Sequence, residues 1–463
     1  MSSLSQREWM DASAPATPTS SENLNQPAKP AKSVSLRWNF SWTFVGNVIY
    51  SGCQWGTLVL LAKLGNPTIV GQYGLALAIA TPVYALSTLQ LRAVLTTDVH
   101  ERIHFGEYLG FRLLTTVISL LVIAGAAFGM HYSPQSTWVV LIIGLAQGLE
   151  IVSDLYYAKM QFHEHMDRIA KSMIIRGVLG LAAMGAGVYF LGSIVWGAVG
   201  LVLARVIVLV AYDIRKRTHF DPHSIAEMQE ASEVRDTRDR SLRPRWNRAV
   251  QIELLRTSII LGVIAFLVSL LPSIPRYFIA GSIGERQLGI FTATAFLVST
   301  GNLIITAMGQ SAFVRLAKLY GNGDIRRFNS LLIKLVGIAA ALGLAGIGVA
   351  VFFGHMLLTL LYRPEYAEHT DVLVAMMVGG AMSYIAAQMA SAITSARCFA
   401  PQIPVLASCV AAATLASLFL VRSHGILGAA YSVIITSAVL LIGEIILLTF
   451  VLRKRQRAIL AAS

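Results

Sequence analysis

Residues 172–213, SMIIRGVLGLAAMGAGVYFLGSIVWGAVGLVLARVIVLVAYD, decide the fold. They form two runs of about 20 residues parted at Gly192, and about 20 apolar residues at 1.5 Å per residue are what an α-helix needs to cross roughly 30 Å of hydrocarbon. Arg176 and Arg205 interrupt the two runs. A guanidinium at the centre of a bilayer costs about 2.5–3.5 kcal/mol even on lenient insertion scales, so such a residue is expected to face a wet cavity or an anion.

The same pattern recurs along the chain. Apolar windows at 40–61, 70–91, 107–129, 137–159, 172–191, 193–213, 257–280, 287–309, 330–354, 371–394, 401–421 and 426–451 mark twelve spans. The ten-residue alternation of a membrane β-strand is absent, and hydrocarbon admits only structures that satisfy their own backbone. The expected fold class is therefore all-α, a polytopic membrane protein with about twelve transmembrane helices in two six-helix lobes. Composition agrees: the 463 residues are 55% hydrophobic and 13% charged, with a mean hydropathy of +0.64, far from a soluble domain.

Charge orients the spans. Of the 37 Lys and Arg, Lys63, Arg286, Arg363 and Arg422 fall on one side, and Arg112, Arg176, Arg205, Arg276 and Lys334 within spans. The remainder, about 28, share a side with the N-terminus, which places both termini in the cytoplasm by the positive-inside rule. That bias accounts for a pI near 9.8 without a nucleic-acid partner.

Residues 1–37, rich in Ser, Ala and Pro, lack the apolar core of a signal peptide and are expected to be a disordered cytoplasmic tail. The N-terminal lobe occupies 38–213, a basic cytoplasmic linker 214–256, the C-terminal lobe 257–452, and a second tail 453–463. Because each half contains six spans, the halves enter the membrane in the same orientation, as parallel repeats do. Val70, Gly71, Gln72 and Tyr73 open the second span as Leu288, Gly289, Ile290 and Phe291 open the eighth. Gly197–Ala198 and Gly428–Ala429 correspond in the same way in the sixth and twelfth. Cys53, Cys398 and Cys409 show no paired spacing and suggest neither disulfides nor a metal site. His163 and His165 resemble metal ligands only in residue type.

Several stretches resemble one family in sequence order: Leu89, Gln90, Leu91, Arg92, Ala93, Val94 and Asp98; Phe162 to Asp167 leading to Arg176 and Gly177; Pro275, Arg276, Tyr277 and Phe278 leading through Gly284 and Glu285 to Phe291; Gly309, Gln310, Ser311, Arg315 and Leu316; and Tyr362, Arg363, Pro364, Glu365 and Tyr366. Across roughly 37–453 the chain resembles the oligosaccharide-flippase branch of the multidrug/oligosaccharidyl-lipid/polysaccharide exporter superfamily. The resemblance implies a transporter of the bacterial inner membrane that moves an undecaprenyl-pyrophosphate-linked oligosaccharide to the outer leaflet. The implied partners are that lipid-linked cargo, membrane lipids, and the polysaccharide polymerase and chain-length machinery. The tail before Arg37 and the basic central loop depart from the family pattern.

A pyrophosphate is a dense anion, and arginine offers it a planar fork of donors that stays charged. The candidate substrate-binding residues are Arg276, Arg205, Arg176 and Arg92. Arg276 follows Pro272 and Pro275, whose missing amide donors permit a broken helix lining a cavity. Arg205 lies about 12 Å inside its span at helical rise. Arg176 and Arg112, about a turn inside, can also snorkel to the interface, and Arg92 is either a first capture point or a positive-inside anchor. The candidate ion-coupling residues are Glu150, Asp154 and Glu444. Glu150 and Asp154 share one helix face; at its depth Glu150 suits either proton coupling or a fixed pair with Arg176 or Arg205.

Other classes remain in view. A cation-coupled drug exporter of the same superfamily calls for a compact cavity in which acids dominate, and a polysaccharide polymerase or ligase needs large catalytic outer loops, which are short here. A scaffold leaves the buried ionisable groups as an unexplained cost. No Gly-rich loop ending in Gly, Lys and Ser or Thr is present, so no ATP-driven step and no cofactor is expected.

Overall fold

A computed structural model describes residues 36–97, 103–130, 132–162, 165–216 and 244–460. The expected N-terminal tail (but for its last two residues), most of the central linker, Asp98, His163 and Glu164 lie outside the described residues. The N-terminal half contains α1 (Leu36–Leu64), α2 (Pro67–Thr88), the short α3 (Leu91–Thr97), α4 (Phe105–Gly129), α5 (Pro134–Phe162), α6 (Met166–Leu191) and α7 (Ile194–Val208). A π-helical turn, Leu209–Asp213, carries α7 on to Lys216. The C-terminal half contains α8 (Arg248–Leu270), α9 (Ile274–Ser282), α10 (Glu285–Gly321), α11 (Ile325–Leu361), the short α12 (Pro364–Ala367), α13 (Thr370–Ser395) and α14 (Gln402–Leu460).

Among the described residues eleven helices are long and apolar enough to cross a membrane. The last of them, α14, is two crossings joined at Gly425, whose φ of 61° and ψ of −138° are open to glycine and strained for other residues. The protein is thus an all-α, multi-pass membrane protein of twelve crossings in two lobes. Its lipid-facing surface carries exposed Leu121, Phe128, Phe190, Phe352 and Phe450, side chains that lose nothing against hydrocarbon tails.

Local chemistry starts several helices. The Asn66 side chain accepts from the Ile69 amide at 3.0 Å ahead of Pro67, and Ser193 caps α7 in the same way. Asn247 caps α8, which begins at Arg248 rather than at 257, inside the expected linker. The approach to it is tied down: the Arg245 amide donates to the Gly106 carbonyl at 2.9 Å, and the Asn247 amide to Glu107 Oε2 at 3.2 Å. At the other end α14 runs through the expected 453–463 tail as far as Leu460. Arg455 donates to the Gly321 carbonyl at 2.7 Å and lies over the Tyr320 ring. Hydropathy marks only the part of a helix inside hydrocarbon, so these basic extensions escape it.

The expected break in the seventh span is present. α8 stops at Leu270 and α9 restarts at Ile274, with Pro275 in its first turn. α8 packs on α2 of the other lobe, whereas α9 packs chiefly on α14 of its own. The lobes meet most extensively where α2 crosses α10, and there the two repeat motifs touch. A Cβ added to Gly71 would lie 1.8 Å from the Glu285 carbonyl oxygen, and one added to Gly289 would lie 1.7 Å from that of Pro67. Only glycine allows the two backbones this approach. The other repeated pair also marks close contacts, Gly197 against Met184 of α6 and Gly428 against the Leu420 carbonyl.

The α2–α10 crossing lies at the face opposite the chain ends. Beside it Glu285 accepts hydrogen bonds from Gln72 at 2.9 Å, from Ser133 at 3.1 Å and from Ser136, and Arg363 donates to the Lys63 carbonyl at 2.7 Å. Deeper in, Pro82 of α2 leaves the Ala78 carbonyl without its helical amide partner. Tyr277, from the other lobe, donates its hydroxyl to that oxygen.

Gly289→Ala is expected to force the lobes apart at this crossing, at a cost of about 1–3 kcal/mol for an overpacked contact. The readouts are a lower Tm in detergent and a longer spin-label distance across the α2 and α10 ends. Gly125→Ala, which meets nothing within 4 Å, is the control; equal behaviour of the two variants contradicts the account.

Candidate functional site: a polar cleft in the N-terminal lobe

Four helices of the first lobe, α3, α5, α6 and α7 with its π-helical turn, fold so that their charged residues converge. Arg176 of α6 pairs with Asp213, at the end of the π-helical turn, at 2.8 Å, and both are almost fully enclosed. Ser172 donates to the same carboxylate and shares a 2.7 Å hydrogen bond with Tyr157, whose ring lies 5.1 Å from the Arg176 guanidinium. One helix over, Arg205 of α7 pairs with Glu150 of α5 at 2.9 Å. Tyr50 of α1 also donates to Glu150 and accepts from Gln54 at 2.9 Å. Near the face that carries the chain ends, Arg92 of α3 pairs with Asp154 at 2.8 Å and donates to Gln161 at 2.9 Å.

These groups border a cavity of about 480 Å³ between α1, α2, α5 and α6. Asn47, Tyr50 and Gln54 line it from α1, Thr81 and Thr88 from α2, Gln147, Glu150 and Asp154 from α5, with Arg92 and Arg176 at its margins. Glu150 lines the cavity and Arg205 does not, so the acid separates that arginine from the open space. Arg92 and Met166 place one end of the cleft at the face of the chain ends.

Of the two readings open for Glu150, the fixed pair with Arg205 is the one present, and Tyr50 also donates to it. Two expectations need correction. Arg176 does not snorkel, since it is 4% exposed and held by Asp213. Arg112 does not snorkel either: it is fully buried, its Nη1 3.4 Å from the Ser87 carbonyl, with Nε and Nη2 unpaired. Its helix turns that residue inward toward α2 instead of along the lipid face.

Two candidates stand outside the cleft. Arg276 is half-buried on α9; its Nε is enclosed without a partner, and no carboxylate pairs with it among the described residues. Glu444, on the second limb of α14, is 1% exposed, and its Oε2 has no hydrogen-bond partner. The residues that sequence reasoning missed are Asp213, Tyr50 and Tyr157. The signal for Asp213 was an acid in the last turn of a span adjoining an arginine-bearing one; a lone tyrosine in an apolar helix gives no such signal.

Residues 36–319 match the family model described as polysaccharide biosynthesis protein. The chain is similar to the capsular polysaccharide biosynthesis protein CapF of Staphylococcus aureus, 25% identical over 341 residues, covering 74% of this chain and 81% of that one. Its fold overlays on a multidrug resistance MATE family transporter of the MOP superfamily in an inward-facing conformation, with a TM-score of 0.69 at 12% identity, covering 90% and 99% of the two chains. It also overlays on the lipid II flippase MurJ, with a TM-score of 0.64 at 10% identity, covering 88% and 86%. A twelve-crossing, two-lobed membrane protein with this fold, the chain belongs to the polysaccharide biosynthesis protein family.

Proposed function

We propose that the protein is a flippase that moves undecaprenyl-pyrophosphate-linked oligosaccharide repeat units across the bacterial inner membrane by alternating access. The observation that carries this reading is the asymmetry of the two faces. The lobes meet backbone to backbone through Gly71 and Gly289 at one face, a closed seam of the kind one half of a rocking cycle needs, while a polar cleft within the first lobe reaches the other face. The excess of Lys and Arg in the segments that the sequence assigns to the side of the chain ends supports a cytoplasmic orientation for that face. The family match and the similarity to CapF direct the transport to polysaccharide assembly, with a polymerase and chain-length machinery acting next on the product.

In this reading Arg276 meets the pyrophosphate. It is a half-buried cation with no acidic partner among the described residues, and a bound anion supplies the missing charge. Glu150 and Asp154 serve as counter-ions of Arg205 and Arg92, which leaves Glu444 as the carboxyl group for ion coupling. A drug exporter is the second reading, since a multidrug resistance MATE family transporter shares the fold. Against it, each acid that lines the cleft is already held by an arginine.

Arg276→Ala is expected to lower surface polysaccharide by about tenfold or more, the loss of a charge-assisted contact, at unchanged membrane levels. Lipid-linked repeat units then accumulate on the cytoplasmic leaflet. Normal polysaccharide removes Arg276 from the site, and accumulation on the outer leaflet assigns the protein to polymerisation instead.

Glu150→Gln leaves the Arg205 charge buried without a partner, a change that costs about 3–5 kcal/mol, and the detergent Tm is expected to fall. Glu150→Leu combined with Arg205→Met is expected to recover most of it; a wild-type Tm for Glu150→Gln contradicts the fixed pair. In vesicles Glu444→Gln is expected to abolish the pH dependence of transport, and an unchanged pH and sodium dependence removes Glu444 from coupling.

A further inference from the structure

The cleft is electrically neutral although arginines surround it. Its lining holds Arg92 and Arg176 against Glu150 and Asp154, and the partners just behind the wall, Arg205 and Asp213, complete three pairs at 2.8, 2.8 and 2.9 Å. The unpaired Arg112 does not line it. A phosphate anion entering here has no uncompensated cation to meet. To recruit Arg176 it must break an enclosed pair and leave a carboxylate beside itself, which costs several kcal/mol, and the more exposed Arg92 brings the Asp154 carboxylate with it.

What the walls offer instead is neutral hydrogen bonding. Carboxamides from Asn47, Gln54 and Gln147, hydroxyls from Thr81 and Thr88, and the outer edges of the Glu150 and Asp154 pairs face the same space. Glu150 and Asp154 keep 27% and 34% of their side chains exposed while paired, so acceptor atoms remain open to a ligand. A ligand rich in hydroxyls, each both donor and acceptor, matches such a wall. The volume of about 480 Å³ lies within the roughly 300–1,000 Å³ of small-molecule pockets. A lipophilic cation, by contrast, needs acids that are not already neutralised.

We infer that this cleft binds the uncharged saccharide part of the cargo head group, and that the pyrophosphate is held elsewhere. The inference rests on the flippase reading and assigns the specificity of transport to α1, α2 and α5. The arginines of the first lobe then act by positioning carboxylates rather than by touching phosphate.

The test uses the full chain in nanodiscs, titrated with a panel of neutral tri- and tetrasaccharides and with inorganic pyrophosphate, and read by calorimetry. At least one neutral saccharide is expected to bind with an affinity that added salt leaves nearly unchanged. Gln147→Ala and Thr81→Val are each expected to weaken it by about tenfold or less, as one lost hydrogen bond does, and pyrophosphate is expected not to displace it. Displacement by pyrophosphate, wild-type affinity in both variants, or a panel without any binder overturns the assignment. If deletion of the gene still strands lipid-linked units on the cytoplasmic leaflet while no neutral saccharide binds, the flippase reading stands and the saccharide cleft falls.

Discussion

The pairs Arg176–Asp213 and Arg205–Glu150 are the interactions on which the first lobe depends. Each places a guanidinium in hydrocarbon, where an unmatched charge is costly, and cancels it with a carboxylate from another part of the fold. Together they tie α5 and α6 to α7 and its π-helical extension. Tyr50 draws α1 onto Glu150, and Arg92 draws α3 onto α5. The result is a lobe held together by polar contacts that only one relative rotation of its helices satisfies. The second lobe is built differently. Its packing at the face of the chain ends is an apolar cluster around Leu316, Phe328, Ile393 and Leu447, and its half-buried Arg276 and buried Glu444 have no ionic partner among the described residues.

In the proposed rocking cycle the seam between the lobes carries the motion. Gly71 and Gly289 let α2 and α10 meet backbone to backbone at one face, a contact with almost no side-chain interlock to break. Deeper in, the carbonyl freed by Pro82 is covered by Tyr277 from across the seam, and the chain beside Tyr277 is already broken between α8 and α9. The helix that changes lobes is therefore the one with a joint in it. In that cycle the Tyr277 bond and the Glu285 cluster are the contacts that must open.

Much of this was legible in one dimension. The length of an apolar run is a property of the sequence alone, so the twelve crossings, the break before Arg276 and the separation of the last two crossings at Gly425 are all visible there. The repeat motifs at Gly71 and Gly289 were visible as a match, but their meeting on the seam depends on the symmetry of the fold. Ion pairs were less accessible, because the rotation of each helix decides which residue faces which. Glu150 was open to Arg176 or Arg205, and rotation selected Arg205. The same ignorance of rotation made Arg112 look free to reach the interface when it is sealed inside. Helix ends such as Arg248 and Leu460 escaped because charged turns beyond the hydrocarbon stay helical through caps and tertiary contacts that hydropathy does not record.

Charge is thus divided between the lobes: cancelled around the cleft of the first, uncancelled at Arg276 of the second. The account rests on movement of a lipid-linked head group through that arrangement. Its most direct test is a proteoliposome assay in which lipid-linked oligosaccharide is loaded into sealed vesicles and its exposure to an external lectin is followed without ATP. The account predicts exposure of the inner-leaflet pool that requires the protein; inner-leaflet oligosaccharide that stays shielded, at the rate of protein-free vesicles, contradicts it.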